Sequence, residues 1–197
     1  MFTIAIQAGG KSKRMGRDKA LLELGGKPLI EHVLAQIAGL GSEILITTNR
    51  PEGFMHLGER LVPDTNPDAG ALNGLYTALT AAQEAYVLVL ACDMPFIRRP
   101  LLEHILSLAH HADVIVPQVQ GYYEPLQALY HRQNCLPAVE AALAEGEQRV
   151  VSFFPRVKIH PIREEIVAKL DPQGLSFYNI NNPQDLTRAE EILANFS

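Results

Sequence analysis

Asp93 ends the most continuous apolar run of the chain, Tyr86-Val87-Leu88-Val89-Leu90-Ala91-Cys92, and is followed by Met94-Pro95. A carboxylate at the mouth of a buried strand suits Mg²⁺, which takes one or two protein carboxylates and fills its octahedron with phosphate oxygens and water. Far upstream, Gln7-Ala8-Gly9-Gly10 follows the apolar stretch Phe2–Ile6, and Lys11, Lys13, Arg14, Arg17 and Lys19 come directly after it. Adjacent glycines let the backbone turn sharply and aim amide N–H groups at an anion. With that density of cations, the expected guest is a phosphate. Asp64, after Arg60-Leu61-Val62-Pro63, and Thr47 and Asn49, after Glu43-Ile44-Leu45-Ile46, add polar groups at two further strand ends. Asp64 is suited to a ribose or a base, and Thr47 and Asn49 carry donors and acceptors able to read a base edge.

Each feature has a plainer reading: a solvated basic turn for the loop, a cap or turn aspartate for Asp93 and Asp64. Two common phosphate motifs are excluded. A Walker loop sets Lys-Ser/Thr directly after its second glycine, whereas Gly16 precedes Arg17; the dinucleotide pattern G-x-G-x-x-G fails because Gly9 and Gly10 are adjacent. Cys92 reads as a small core residue, and His110-His111 as cations complementing a helix end. No supported Ser/His/Asp arrangement is present.

The elements that must position these residues are legible from periodicity. Phe2–Ile6, Glu43–Thr47, Arg60–Pro63, Tyr86–Cys92 and Asp113–Pro117 read as strands, the fourth buried on both faces. Helices are expected from Pro28 to Ala38, around Leu72–Leu79, from Pro100 to Leu108, over Leu136–Ala144, and from the Asn182-Pro183 cap through Leu193. Gly121–His131 alternates as a strand, antiparallel to the rest; Val157–Ile162 and Phe177–Ile180 also read as strands, and Val150–Phe154 is ambiguous. Strands alternating with helices imply a three-layer α/β/α, Rossmann-like, mostly parallel sheet. Ligands of such sheets sit beyond the carboxyl ends of the strands, where the polar groups above converge.

The 197 residues are expected to form one domain, 1–197, with an ordinary soluble composition of 47% hydrophobic and 20% charged residues. A net charge of -5 argues against a nucleic-acid coat. Two cysteines without C-x-x-C spacing supply neither a zinc cluster nor a disulfide framework. No run is long and apolar enough for a membrane span or a cleaved leader, so a cytoplasmic protein is expected.

The loop Q-A-G-G-K-S-K-R-M-G-R-D-K resembles the signature L-A-G-G-x-S-x-R-M-G-x-D-K of the molybdenum cofactor guanylyltransferases. The likeness runs on through L-L-E-L-G-G-K-P-L-I from Leu21, T-T-N-R from Thr47, P-D at Pro63-Asp64 and G-A-L-N-G-L from Gly70. It continues through A-C-D-M-P-F from Ala91, P-L-Q-A-L-Y from Pro125 and N-I-N-N-P-Q-D-L from Asn179. The resemblance implies a nucleotidyltransferase that moves GMP from GTP to the terminal phosphate of molybdopterin and releases pyrophosphate, with Mg²⁺ as cofactor. By that resemblance Gln7, Ala8, Gly9 and Gly10 lie along the guanine nucleotide, Lys19 binds phosphate, Asp64 contacts the nucleotide and Asp93 holds Mg²⁺. Asn179 and Asn181 match positions on the pterin side, and Arg14 joins Lys19 and Asp93 in charge stabilisation. Lys11 and Lys13 are left as solvated charges. Gln7 stands where leucine is usual, Ala71 where proline is common and Asn182 where threonine is frequent. The resemblance also implies GTP and molybdopterin as partners and transient contact with cofactor-delivering or molybdenum-enzyme proteins. The chain itself is expected to be monomeric.

The reaction needs no covalent nucleophile, only alignment of two polyanions and neutralisation of charge on the departing pyrophosphate. Competing readings at this level are a CTP-using enzyme of the same cofactor, a sugar-phosphate nucleotidyltransferase and a non-catalytic nucleotide-binding module.

Overall fold

Residues 1–8, 19–64, 66 and 70–195 are described in a computed structural model of the chain. In order, β1 (Thr3–Gln7) leads to the two-residue strands β2 (Glu23–Leu24) and β3 (Lys27–Pro28), helix α1 (Leu29–Ile37), β4 (Glu43–Thr47) and β5 (Arg60–Val62). Then come α2 (Gly70–Ala81), β6 (Tyr86–Ala91), α3 (Arg99–Ser107), β7 (Val114–Val119), β8 (Tyr122–Tyr123) and β9 (Gln127–His131). The chain finishes with α4 (Arg132–Ala144), β10 (Ile159–Ile162), α5 (Glu164–Leu170) and α6 (Pro183–Ala194).

Seven strands lie side by side in the order β10-β7-β9-β6-β1-β4-β5, with β8 paired to β7 as the eighth; β2 and β3 form a separate hairpin. The pairs β1–β4, β1–β6, β4–β5 and β10–β7 are parallel, and β9 runs against both β6 and β7. All the long strands except β9 therefore deliver their carboxyl ends to one rim. The expected three-layer, mostly parallel sheet is the observed fold.

Side-chain alternation builds the two outer layers. Ile4, Ile6, Ile46, Leu88 and Leu90 face α1, α3 and α5, packing on Ile30, Val33, Leu101, Leu102, Ile105 and Val167. Ala5, Leu45, Val87 and Val89 face α2 and α4, meeting Leu72, Leu75, Leu79, Cys135 and Val139. The central strand is buried on both faces as expected, with Val87 through Leu90 at 0% exposure. A small third cluster, Leu24, Leu29, Ile180 and Ala189, seats α6 against the β2–β3 hairpin. No helix among the described residues is long and apolar enough to cross a membrane.

Two local expectations are corrected and two open stretches are assigned. Phe177–Ile180 is not a strand. The Tyr178 N–H is taken by a local turn, donating to Leu175 O at 3.0 Å, and the Ile180 N–H makes a single bond to Asp93 O at 3.0 Å, without a ladder. The segment instead crosses the sheet rim. Gly121–His131 is antiparallel as expected, but broken into β8 and β9. Glu164–Leu170, unassigned from sequence, is a short helix, and the ambiguous Val150–Phe154 lies in a 3₁₀ turn over Val150–Arg156. Of the histidine pair, the Nδ1 of His111 lies 3.1 Å from Leu108 O just past α3, whereas His110 Nδ1 lies 3.0 Å from Tyr86 Oη.

Candidate active site

The site forms where β1, β4, β5 and β6 end. Two hydrogen bonds knit the first three strand ends together: Ala8 N–H donates to Thr47 O at 2.9 Å and Thr48 N–H to Val62 O at 2.9 Å. On the other side of β1, Cys92 N–H donates to Gln7 O at 3.2 Å. Gln7, Thr47 and Ala91 are register partners, so the end of β1, the threonine and the approach to Asp93 sit level across three strands. Thr47 is buried at 2% exposure and Asn49 is exposed on the turn beyond it. Thr48, not singled out from sequence, is also buried and shapes that turn, its Oγ1 accepting the Arg50 N–H at 3.1 Å.

Lys19, Asp93 and Asn181 come together although they are 74 and 162 positions apart along the chain. The Lys19 ammonium donates to Asp93 Oδ2 at 3.2 Å and to Asn181 Oδ1 at 2.7 Å. Both charged side chains are about one-fifth exposed, so the pair is partly shielded but open to a ligand. Asn181 is delivered by the crossing segment: Ile180 N–H donates to Asp93 O at 3.0 Å, and Asn181 N–H to Asp185 Oδ2 at 2.7 Å. The Asn182–Asp185 capping box of α6 fixes the far side of that turn. Asn179 is half-buried, its amide nitrogen donating to Phe177 O at 3.0 Å.

Asp64 is held by the neighbouring helix. Its Oδ1 accepts from the Asn66 N–H at 3.3 Å, from Thr77 Oγ1 at 3.1 Å and from Asn73 Nδ2. Asn73 and Thr77 stand four residues apart on one face of α2, the spacing that brings two side chains to one point. That polar pair inside an apolar stripe was the available signal for them in the sequence. Gln7 packs against the same helix: a Cβ on Gly74 would lie 2.9 Å from Gln7 Oε1. The Gln7 Nε2 is buried and has no hydrogen-bond partner among the described residues. Gly9, Gly10 and Arg14, with Lys11 and Lys13, lie outside the described residues.

Asp93 Oδ1 accepts no hydrogen bond among the described residues, and no group of three or more His, Cys, Asp or Glu side chains able to hold a metal occurs among them. A lone carboxylate beside a lysine fits Mg²⁺, which completes its shell with ligand oxygens, and does not fit a protein-caged ion. Chemically, the rim offers a cation and a carboxylate, both partly exposed, the charges that a phosphate and a divalent cation would meet.

Residues 4–174 match the family model described as a MobA-like NTP transferase domain. A probable molybdenum cofactor guanylyltransferase of Pelotomaculum thermopropionicum is 36% identical over 98% of this chain and 94% of its own length. The molybdenum cofactor guanylyltransferase of Desulfosudis oleivorans is 31% identical over 95% and 94%. The crystal structure of molybdopterin-guanine dinucleotide biosynthesis protein A from Archaeoglobus fulgidus superposes with a TM-score of 0.84 at 29% identity, covering 98% of this chain and 99% of that one. With the family model matching most of the chain and relatives above 30% identical along nearly its whole length, this protein belongs to the MobA-like NTP transferase family.

Proposed function

We propose that the protein transfers GMP from GTP to the terminal phosphate of molybdopterin, releasing pyrophosphate and forming a molybdopterin guanine dinucleotide. The observation that carries this reading is the Lys19–Asp93–Asn181 cluster on the carboxyl rim of a nucleotidyltransferase sheet. The cluster joins a phosphate-binding cation and a metal-binding carboxylate to the segment assigned to the pterin side.

The nucleotide lies over β1, β4 and β5. Main-chain groups of Gln7, Ala8, Gly9 and Gly10 flank it, Asp64 meets the ribose or base in the orientation set by Asn73 and Thr77, and Thr47 and Asn49 border the base. In the ligand-free state Lys19 neutralises Asp93. When the triphosphate arrives, its oxygens compete for the ammonium, and Lys19 turns to them while keeping Asn181 within reach. Mg²⁺ bound at Asp93 would screen the phosphate charges and stabilise the departing pyrophosphate. Lys19 and Arg14 add positive charge where it grows during transfer. Asn179 and Asn181 orient the acceptor so that its terminal phosphate oxygen faces the α-phosphorus. Orientation of the two substrates is the larger share of the work, since neither needs chemical activation by a nucleophilic side chain.

The test is pyrophosphate release with GTP or CTP and a panel of acceptors, molybdopterin among them. GTP with molybdopterin is the productive pair; turnover with CTP alone, or with sugar phosphates alone, refutes the assignment. Asp93→Ala is expected to lower turnover by at least about 10²-fold, the usual effect of deleting one charge-stabilising group, while leaving the thermal transition in place. Full activity in that variant would remove Asp93 from the metal role.

A further inference from the structure

Beside Asp93, on the side away from the nucleotide strands, the sheet carries a bulge. Along β7 and β9, Ile115 lies opposite Leu129, a register that would set Gln118 opposite Leu126. Gln118 lies opposite Tyr123 instead, so the stretch from Tyr123 to Leu129 carries three more residues than the β7 segment facing it, a bulge at the rim just after Glu124. Bulges at such places re-aim a side chain. This one is held from every side. Glu124 N–H donates to Pro117 O at 2.9 Å, Gln127 N–H to Glu124 O at 3.1 Å and Ala91 N–H to Leu126 O at 3.0 Å. From within the core the fully buried Tyr130 donates its hydroxyl to Pro125 O at 2.6 Å.

The bulge carries costs that folding alone does not explain. Gln127, at its end, is completely buried, yet neither carboxamide atom has a hydrogen-bond partner among the described residues. The Glu124 side chain makes no hydrogen bond or ion pair among the described residues although it is half-buried, and burial pushes its carboxyl above the ordinary value. A braced bulge presenting a partly desolvated carboxyl without donors is the pattern of a site awaiting a ligand that brings them.

Position selects the ligand. β6 separates this bulge from β1, β4 and β5, which take the nucleotide, and the Asn179–Asn181 segment bonds to the Asp93 backbone on the same rim. The space bounded by the bulge and that segment is therefore left to the second substrate. Resting on the guanylyl-transfer reading above, we propose that Glu124 recognises the acceptor's pterin, its two carboxylate oxygens accepting from the adjacent 2-amino and N3–H groups of the aminopyrimidinone edge. A carboxylate matches two neighbouring N–H donors in the same planar way that it matches the fork of an arginine. Tyr130 is a positioning residue that keeps the bulge, and so Glu124, in register.

The test uses the full chain and the isosteric variant Glu124→Gln, which keeps size and removes one acceptor. In steady-state assays the variant raises the KM for molybdopterin roughly tenfold or more, the expected loss for a charge-assisted hydrogen bond, and leaves the KM for GTP unchanged. Direct binding is read by the fluorescence of 6-hydroxymethylpterin monophosphate against its lumazine counterpart, in which a 2-oxo group replaces the 2-amino donor. Wild type prefers the pterin by about tenfold or more, because a site built for a donor rejects an analogue lacking it; Glu124→Gln brings the two probes within about twofold. Equal preference in both proteins, or an unchanged molybdopterin KM, overturns the role of Glu124 while leaving guanylyl transfer standing. Wild type that releases no pyrophosphate from GTP and molybdopterin overturns the underlying reading instead.

Discussion

Gly74→Ala separates stability from binding at one contact. Gly74 lies in the body of α2, where replacing glycine by alanine ordinarily gains about 1 kcal/mol of helix propensity. Here the new Cβ would stand 2.9 Å from Oε1, 3.1 Å from Cδ and 3.4 Å from Nε2 of Gln7. All three are at the far end of a flexible side chain, so the clash is relieved by moving the carboxamide. A displaced rotamer costs on the order of 0.5–1.5 kcal/mol. Gain and cost nearly cancel, and the melting temperature should stay within about 2 °C of wild type, since about 1 kcal/mol shifts a domain of this size by roughly 2–4 °C. Gln7, however, stands at the root of the loop proposed to hold GTP, and moving it should weaken GTP binding several-fold, measured by isothermal titration. The double variant isolates the cause. In a Gln7→Ala background the clash is gone, and Gly74→Ala should raise the melting temperature by the full 2–4 °C or so that propensity supplies. If alanine at position 74 is no more stabilising in that background than in wild type, the contact between Gln7 and α2 does not govern the site. A loss of more than about 5 °C in the single variant would show that the backbone, and not the side chain, absorbs the strain.

Asp185→Ala removes the carboxylate that accepts from both Asn181 and Asn182 amides. Losing this cap should cost about 1 kcal/mol, seen as a drop of roughly 2–4 °C, and should impair turnover through the loosened Asn181 rather than through the GTP KM. Turnover that survives unchanged would detach Asn181 from the reaction. Glu43 supplies a pH test at the opposite end of the sheet. Burial would raise its carboxyl, but hydrogen bonds from Thr3 Oγ1, the Gln83 N–H and Arg60, with the Arg60 charge, together hold it below its ordinary 4.5. A carboxyl depressed in the folded state stabilises above its unfolded pKa, and the contribution fades as pH falls through the folded one. The stability gap between wild type and Glu43→Gln in urea melts should therefore be open at pH 7 and narrow below about pH 4.5; a gap that widens on acidification contradicts that sign.

Much of this was readable from residue order. The alternation of Ile4 and Ile6 with Ala5 needs no tertiary knowledge to mark a two-sided strand, and Asn182-Pro183 with Asp185 marks a helix start in any context. Phe177–Ile180 misled because an apolar, aromatic tetrapeptide looks like a strand whether or not a neighbour offers a ladder. Here the Tyr178 amide goes to a local turn and the Ile180 amide to the Asp93 backbone, and no strand among the described residues lies alongside. Glu164–Leu170 escaped notice because fewer than two turns of helix carry too few apolar positions to show a period.

By itself, then, the sequence determined the strand–helix alternation, the parallel sheet that follows from it, the polar strand ends and the family, because periodicity and local motifs are properties of neighbours along the chain. Only the tertiary structure decided that Lys19 meets Asp93 and Asn181, that Asn73 and Thr77 hold Asp64, and that a bulge beside Asp93 presents Glu124. Those contacts depend on strand order and register, which are set by packing among residues tens to more than a hundred positions apart, and no local pattern carries that information.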